Sequence, residues 1–312
     1  DINKASRIKI PMISEVIKFD NGKDSLDDIA NQLGVSYILS GNFMKTENKF
    51  KITLQLHSLE NSSFLWTEGW ENDLKNIKNV RAGIVSKTLK SIGAEVPEVI
   101  IEALNEKNEI SPEAYELFLK AKYAILNVKN SGDRELAQEL FKKAIKLEPN
   151  YLEARYNYAM TMVQSNQLER AIDILDDALI IANQDNNNSG IAGINAIYGI
   201  INVRWGKFEK AIKFFETALE QRTKEKNILE EGKILNNLAH CFTQLGLMEK
   251  ALDFANRSLD LKREISDKRG IATSLFSTSL IYRRISDYAK AIKYSKESIE
   301  LFDELNITLH DC

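Results

Sequence analysis

Helix breakers are scarce in this sequence, which holds 4 prolines and 14 glycines in 312 residues, against ordinary shares of about 5 % and 7 %. That shortage excludes a loop-rich or collagen-like chain and makes long helices the first expectation. Two cysteines, Cys241 and Cys312, cannot build a disulfide framework, and no CxxC pair or Cys/His cluster has zinc spacing. A reducing, cytoplasmic setting and no metal follow as expectations. Long apolar runs are missing as well: the most apolar stretch, Ile191 to Val203, is broken by Asn195 and Asn202 and is far shorter than the roughly 20 residues of a membrane span. An excess of one charge is absent, with 42 Lys plus Arg against 45 Asp plus Glu, a net charge of -3 and a pI near 5.9. Neither nucleic acid nor an acidic membrane surface is therefore expected as a partner.

Catalytic motifs are missing too. There is no GxxxxGK[ST] phosphate loop, no GxGxxG, no HExxH and no GxSxG, so no catalytic residue, cofactor or metal ligand is expected and the chain itself reads as a non-enzyme. The acidic pairs Asp27-Asp28 and Asp176-Asp177 read as the solvated faces of helices. His57, on the polar side of a strand, His240 in a helix and His310 near the end have no partners visible in sequence. Cys241 reads as a buried filler. The opening Asp1-Ile2-Asn3-Lys4 lacks both an initiator Met and the apolar core of a signal peptide, and reads as the start of a piece of something longer.

What the sequence does contain is an internal repeat. Ala171, Ala211, Ala251 and Ala291 follow one another at intervals of forty residues, and Ala137 precedes them by 34. Around them a small, large, small pattern recurs at helical spacing: Ala137, Phe141, Ala144; Ala171, Leu175, Ala178; Ala211, Phe215, Ala218. Twelve residues before each aligned alanine from the second unit onward stands another small residue, Ala159, Gly199, Ala239 or Ser279. Two helices must approach closely at each of these positions.

These residues resemble tetratricopeptide repeats, helix-turn-helix units of about 34 residues with small residues at the crossing points. Asn236-Asn237-Leu238-Ala239 and Leu245-Gly246-Leu247-Met248-Glu249-Lys250-Ala251-Leu252 are especially similar to that pattern. The forty-residue interval resembles the long-helix subclass of kinesin light chains and several bacterial regulators. The resemblance implies a mainly α protein, an α-α superhelix of five repeats over residues 112–305, with a tail at 306–312.

The first 95 residues have a period of two instead. Phe50, Ile52, Leu54 and Leu56 alternate with Lys51, Thr53, Gln55 and His57, the pattern of a half-buried strand. With Tyr37 to Phe43 before it and Phe64 to Trp70 after it, an antiparallel meander is expected. A short helix from Asp24 to Leu33 ending at Gly34, and a longer one from Leu74 to Ile92 ending at Gly93, flank it. Phe64, Trp66 and Trp70 are expected to face that second helix, and Trp205 to close a turn between repeat helices. The run Leu33-Gly34-Val35-Ser36-Tyr37-Ile38-Leu39-Ser40-Gly41-Asn42-Phe43 with Lys51 to Leu56 and Phe64-Leu65-Trp66 is similar to the TolB amino-terminal-like domain. That resemblance places a small α+β domain at 1–95, either truncated relative to the family or completed by a partner, and a linker helix at 96–111 between Pro97 and the Ser111-Pro112-Glu113 helix start. In bacteria such a domain often precedes repeat arrays in class III adenylate/guanylate cyclases, in kinases and in winged-helix regulators.

Binding is the chemistry left to such a chain. With Ala159, Gly199, Ala239 and Ser279 as the eighth position of each unit, the first helices turn Tyr156, Met160, Ile200, Arg204, Asn236, His240, Thr243, Phe276 and Arg283 toward a groove, joined by Val203 and Leu280. Asn236 suits a peptide backbone, and the arginines suit acidic residues. Chaperone-type carboxylate clamps resemble one another in a Lys and Asn pair that is absent at the matching positions Tyr156 and Met160, Ala196 and Ile200, Asn236 and His240. The expected function is a regulatory, protein- or peptide-binding region of a bacterial signalling protein, the C-terminal part of an adenylate/guanylate cyclase, with a homodimer formed through the α+β domain. The alternatives are a stand-alone scaffold, the peptide-sensing region of a transcription regulator, and an envelope assembly factor.

Overall fold

The computed structural model describes residues 16, 19, 24–46, 49–73, 76–96, 110–126, 128 and 131–305. The expected linker helix, apart from its ends, and the tail with His310 and Cys312 lie outside the described residues. The chain divides into two compact units, Asp1–Glu109 and Ile110–Cys312.

The described residues of the first unit form a three-stranded antiparallel meander, β1 (Tyr37–Thr46), β2 (Lys49–Ser58) and β3 (Ser63–Asp73), flanked by α1 (Leu26–Leu33) and α2 (Ile77–Ser91). Helix α1 starts where Ser25 Oγ accepts from the Asp28 amide and stops at Gly34, whose φ of 60° is open to glycine at no steric cost. Register pairs Leu39 with Leu56, Phe43 with Ile52 and Ile52 with Trp70, so one apolar row crosses all three strands. Lys87 of α2 lies 5.1 Å over the Trp66 ring and pairs with Glu68, which shares a face with Trp66 and Trp70.

Two expectations fail here. β2 keeps its register with β1 through Leu56, His57 and Ser58, so His57 lies on the face of Gln55 as expected, yet it is buried there, its Nε2 bonded to Asp27 of α1 at 2.8 Å. In β3 a β-bulge leaves Leu65 unpaired between the Leu56–Trp66 and His57–Phe64 pairs, and one extra residue in a strand reverses which of its side chains face inward. Phe64, expected beside Trp66 in the core, is opposite His57 and half exposed.

The described residues of the second unit form ten helices in five antiparallel pairs: α3 (Pro112–Leu126) with α4 (Ser131–Leu147), α5 (Leu152–Gln164) with α6 (Leu168–Gln184), α7 (Asn188–Arg204) with α8 (Phe208–Lys224), α9 (Ile228–Gln244) with α10 (Met248–Glu264), and α11 (Lys268–Arg284) with α12 (Tyr288–Glu304). The small residues that mark the repeat are where helices meet. Ala159, Ala239, Ala171, Ala211 and Ala251 are fully buried, and a methyl group added at Gly199 would lie 2.5 Å from the Phe215 ring. Large residues fill the space between: Leu175 and Phe215 are fully buried, and Phe118 packs on Phe141 and Tyr151 in the first pair.

The turns repeat as strictly as the core. From α5 to α12 each connection places one residue in the left-handed region, Asn166, Asn186, Gly206, Lys226, Gly246, Ser266 and Ser286 in order, twenty residues apart. The next amide returns to the helix just ended, as from Gln167 to Met162 at 2.8 Å and from Asp267 to Lys262 at 2.9 Å. This is the Schellman arrangement, which satisfies carbonyls that a helix end leaves open. Asn187, Asn227 and Asp267 then cap the first helix of the following pair, accepting from Gly190, Glu230 and Gly270 amides.

Candidate functional site

The forty-residue period puts equivalent positions of successive first helices side by side, so their outward faces form one surface. Between α9 and α11 that surface opens into a cleft of about 540 Å³. Lys233, Asn236 and Asn237 come from α9, Arg269 and Thr273 from α11, and Lys262 from the last turn of α10. Leu229 lines one end and Asp267 the other.

Lys262 is the unusual member. It follows Ala251, Ala255 and Ser258 at intervals of four, three and four residues, along the buried stripe of α10, and is itself 3 % exposed. Two glycines make room for it: a Cβ at Gly232 would lie 3.4 Å from Lys262 Cγ, and one at Gly270 would lie 2.9 Å from its Cδ. Its ammonium donates to Ser274 Oγ at 2.8 Å, and Ser274 meets Ser258, whose hydroxyl donates to Gly232 O. Burial pulls the Lys262 pKa down to about 8 from 10.5, the Asp267 carboxylate opposing that shift and Lys233 adding to it. At the cleft wall Asn236 Oδ1 is buried without a hydrogen-bond partner, an acceptor whose desolvation is uncompensated until a donor arrives. Lys233 pairs with Glu230 at 2.8 Å across one turn of α9.

The residues expected to line a groove are distributed over α5, α7, α9 and α11. Asn236 lines the cleft. Arg204, His240, Phe276 and Arg283 are exposed, each on a first helix. The His240 ring is 6.3 Å from Phe208 and its pKa is lowered, first by partial burial of the ring and then by the Arg284 guanidinium. Tyr156, Met160 and Ile200 are half-buried against the core of the second repeat, and burial foremost raises the Tyr156 pKa. Thr243 does not line the surface. It is buried, its hydroxyl donates to Ala239 O at 2.7 Å, and its carbonyl accepts from Arg284 at 2.7 Å; back-bonding to its own helix turns the side chain inward.

Other groups singled out in the sequence have structural partners. Asp176 accepts from the Tyr198 hydroxyl and Asp177 pairs with Arg155 at 3.4 Å. Asp27 accepts from His57 Nε2 at 2.8 Å, and that hydrogen bond is the main reason its pKa lies below the usual carboxylate value. Cys241 is buried and its thiol is pushed up to about 12 by burial, which leaves no thiolate at neutral pH. Lys233, Asn237, Lys262, Arg269 and Thr273 were not expected at a site. For Lys262 a signal was present, since a lysine on an apolar helical stripe has no ordinary reason to be there. No described helix is long and apolar enough to cross a membrane.

Comparison with known proteins agrees with this geometry. Tetratricopeptide repeat models match residues 130–188, 192–224 and 230–304. A relative from Rhizobium meliloti (strain 1021), named "Putative adenylate cyclase 3", is 21 % identical over 193 residues, covering 61 % of this chain and 33 % of its own. The chain thus spans about a third of that relative's length. Among solved structures, a Rap protein complexed with competence and sporulation factor superposes with a TM-score of 0.57 at 15 % identity, over 74 % of this chain and 73 % of that one. Aspartyl phosphate phosphatase F from Bacillus subtilis gives 0.53 at 17 % identity, over 73 % and 62 %. These likenesses are of fold. With the family models spanning just over half of the sequence, across the helices from α4 to α12, the chain is a tetratricopeptide repeat protein.

Proposed function

We propose that this chain is a non-catalytic regulatory region of a bacterial signalling protein, whose repeat surface binds a peptide or protein and thereby sets the activity of an adenylate/guanylate cyclase domain elsewhere in the same polypeptide. Tetratricopeptide repeats serve protein-protein interaction, and the observation that carries the reading here is the open cleft between α9 and α11 with an unmet acceptor in its wall. The cyclase assignment is supported by the relative whose name gives that activity. A ligand that favours one state of the cyclase shifts its rate only through unequal affinity for the two states.

The test uses the full-length protein. Thr273→Trp, which fills the cleft from its rim, is expected to change the rate of cyclic nucleotide formation from ATP or GTP in cell extract at least threefold. A full-length polypeptide with no effector domain, or a rate indifferent to the filled cleft, refutes the proposal.

A second copy of the chain is the partner proposed for the α+β unit, for which the sequence suggests a TolB amino-terminal-like domain. Among the described residues β1 is an edge strand that exposes Leu39, Phe43 and Met44, and an edge with apolar side chains is a template for pairing. Light scattering of the chain with and without residues 1–95 tests this: a dimer that becomes monomeric on deletion supports it, and an unchanged state refutes it.

A further inference from the structure

The repeat supplies its own control for Lys262. Forty residues earlier the equivalent position is Arg222, a partly buried cation at the end of a second helix, and it is fully provided for. Arg222 Nη1 donates to Ser189 Oγ at 2.7 Å and to Glu225 at 2.6 Å, while Nη2 donates to Ser189 O at 2.9 Å. The residues that correspond to Ser189 and Glu225 in the next repeat are Leu229 and Ile265. Leu229 lines the cleft and Ile265 is buried. Both of the groups that would satisfy the cation have been replaced by hydrocarbon.

What remains around Lys262 is one neutral hydroxyl, Ser274 Oγ. No carboxylate lies within 4.0 Å of its ammonium among the described residues; Asp267, whose charge favours the protonated lysine from farther away, accepts from the Gly270 amide through Oδ1 as a helix cap. A buried ammonium with one neutral acceptor is costly to keep. Gly232 and Gly270 leave room for its stem along the floor of the cleft, and its ammonium reaches the buried Ser274 hydroxyl just beneath. Lys233 and Arg269 add positive charge along the walls.

We propose that this cleft receives an acidic side chain, aspartate or glutamate, of a bound peptide, with Lys262 as the counter-charge at its floor and Asn236 Oδ1 accepting a main-chain N–H of the same segment. Both unmet groups then point to one ligand chemistry: Lys262 wants an anion and Asn236 wants a donor, and a peptide carrying a short acidic side chain supplies both. Arg222 marks the contrast, a cation whose anion is built into the fold. The proposal rests on the reading of the repeat surface as a peptide-binding groove and names what that groove selects.

The experiment passes a pooled library of randomised, N-acetylated and C-amidated decapeptides over the immobilised chain and sequences the retained fraction. The best retained peptide is resynthesised with each Asp or Glu changed to its amide, and binding to wild type and to Lys262→Met is followed by fluorescence anisotropy. Expected is one acidic position whose amide weakens binding to wild type at least tenfold and to the variant less than twofold. Lys262→Gln, which keeps a polar end without charge, is expected to behave like the Met variant. A retained peptide with no such position, or one whose amide costs the same on both proteins, overturns the inference while leaving groove binding intact. A library from which nothing is retained overturns both.

Discussion

Replacing Lys262 by methionine should make the protein more stable at neutral pH, although it removes a hydrogen bond. The folded-state pKa of about 8 against 10.5 means that folding disfavours the charged form; at about 1.4 kcal/mol per pKa unit this is a penalty of about 3 kcal/mol at pH 7. The sign follows from proton counting. Between about pH 8 and 10.5 the unfolded chain holds a proton on this lysine that the folded chain has released, so stability rises with pH across that window. Below pH 8 the penalty is present in full. Methionine matches the stem in length, keeps the contacts at Gly232 and Gly270, and leaves Ser274 bonded to Ser258. Allowing for the lost Lys262-Ser274 hydrogen bond, worth about 1 kcal/mol, the gain at pH 7 is about 2 kcal/mol. Urea unfolding followed by circular dichroism at pH 7 and pH 10, on both proteins, measures it, because every other titrating group cancels in the difference. A variant less stable than wild type at pH 7, or an advantage that grows between pH 7 and 10, refutes the reasoning. The variant that gains stability is also the one expected to lose acid selectivity.

Gly199→Ala puts a methyl within 2.5 to 2.7 Å of a fully buried phenyl ring and should cost about 1–3 kcal/mol by urea midpoint; Phe215→Leu in the same chain should recover part of that, a less than additive result. Lys226→Gly and Ser266→Gly relieve left-handed residues at φ 53° and should each stabilise by about 0.5–1 kcal/mol, with loss of stability refuting the strain argument. Asp27→Asn should flatten the acid limb of the stability profile of the first unit. The carboxylate is stabilised by His57 when ionised, so that contribution is present above the unfolded value of 3.8 and is lost as pH falls through the lower folded value; an unchanged limb refutes it.

The repeat array was legible because its information is periodic. Alanines forty residues apart could be read as crossing points without knowing any contact, and they are buried where helices meet. The meander was legible from alternation alone. Three residues were not, each because its fate is set by something without a period. His57 is buried where Asp27, on a helix far away in sequence, accepts from its ring. Thr243 is drawn inward by its own helix carbonyl. Lys262 depends on two glycines in other helices, Gly232 and Gly270, that make space for a charge on a buried stripe. Composition and spacing describe a helix one at a time, whereas the cleft exists only between three.

The left-handed residue at every turn from Asn166 to Ser286 has a consequence for how such a chain can change its length. Because each connection is closed by its own local hydrogen bonds, from Gln167 to Met162, Lys207 to Asn202 and Leu247 to Phe242, no turn depends on which helix pair follows it. Excising residues 167–206 would join Asn166 to Lys207, a left-handed residue again followed by the start of a second helix. A duplication or deletion of forty residues is therefore a change of extent rather than of design, adding or removing one panel of binding surface. The cleft that holds Lys262 spans α9, α10 and α11, so it survives any such event N-terminal to Gly206 and is destroyed by one that removes 207–246. The selectivity proposed for that cleft would accordingly be lost in a single recombination step while the fold that carries it persists.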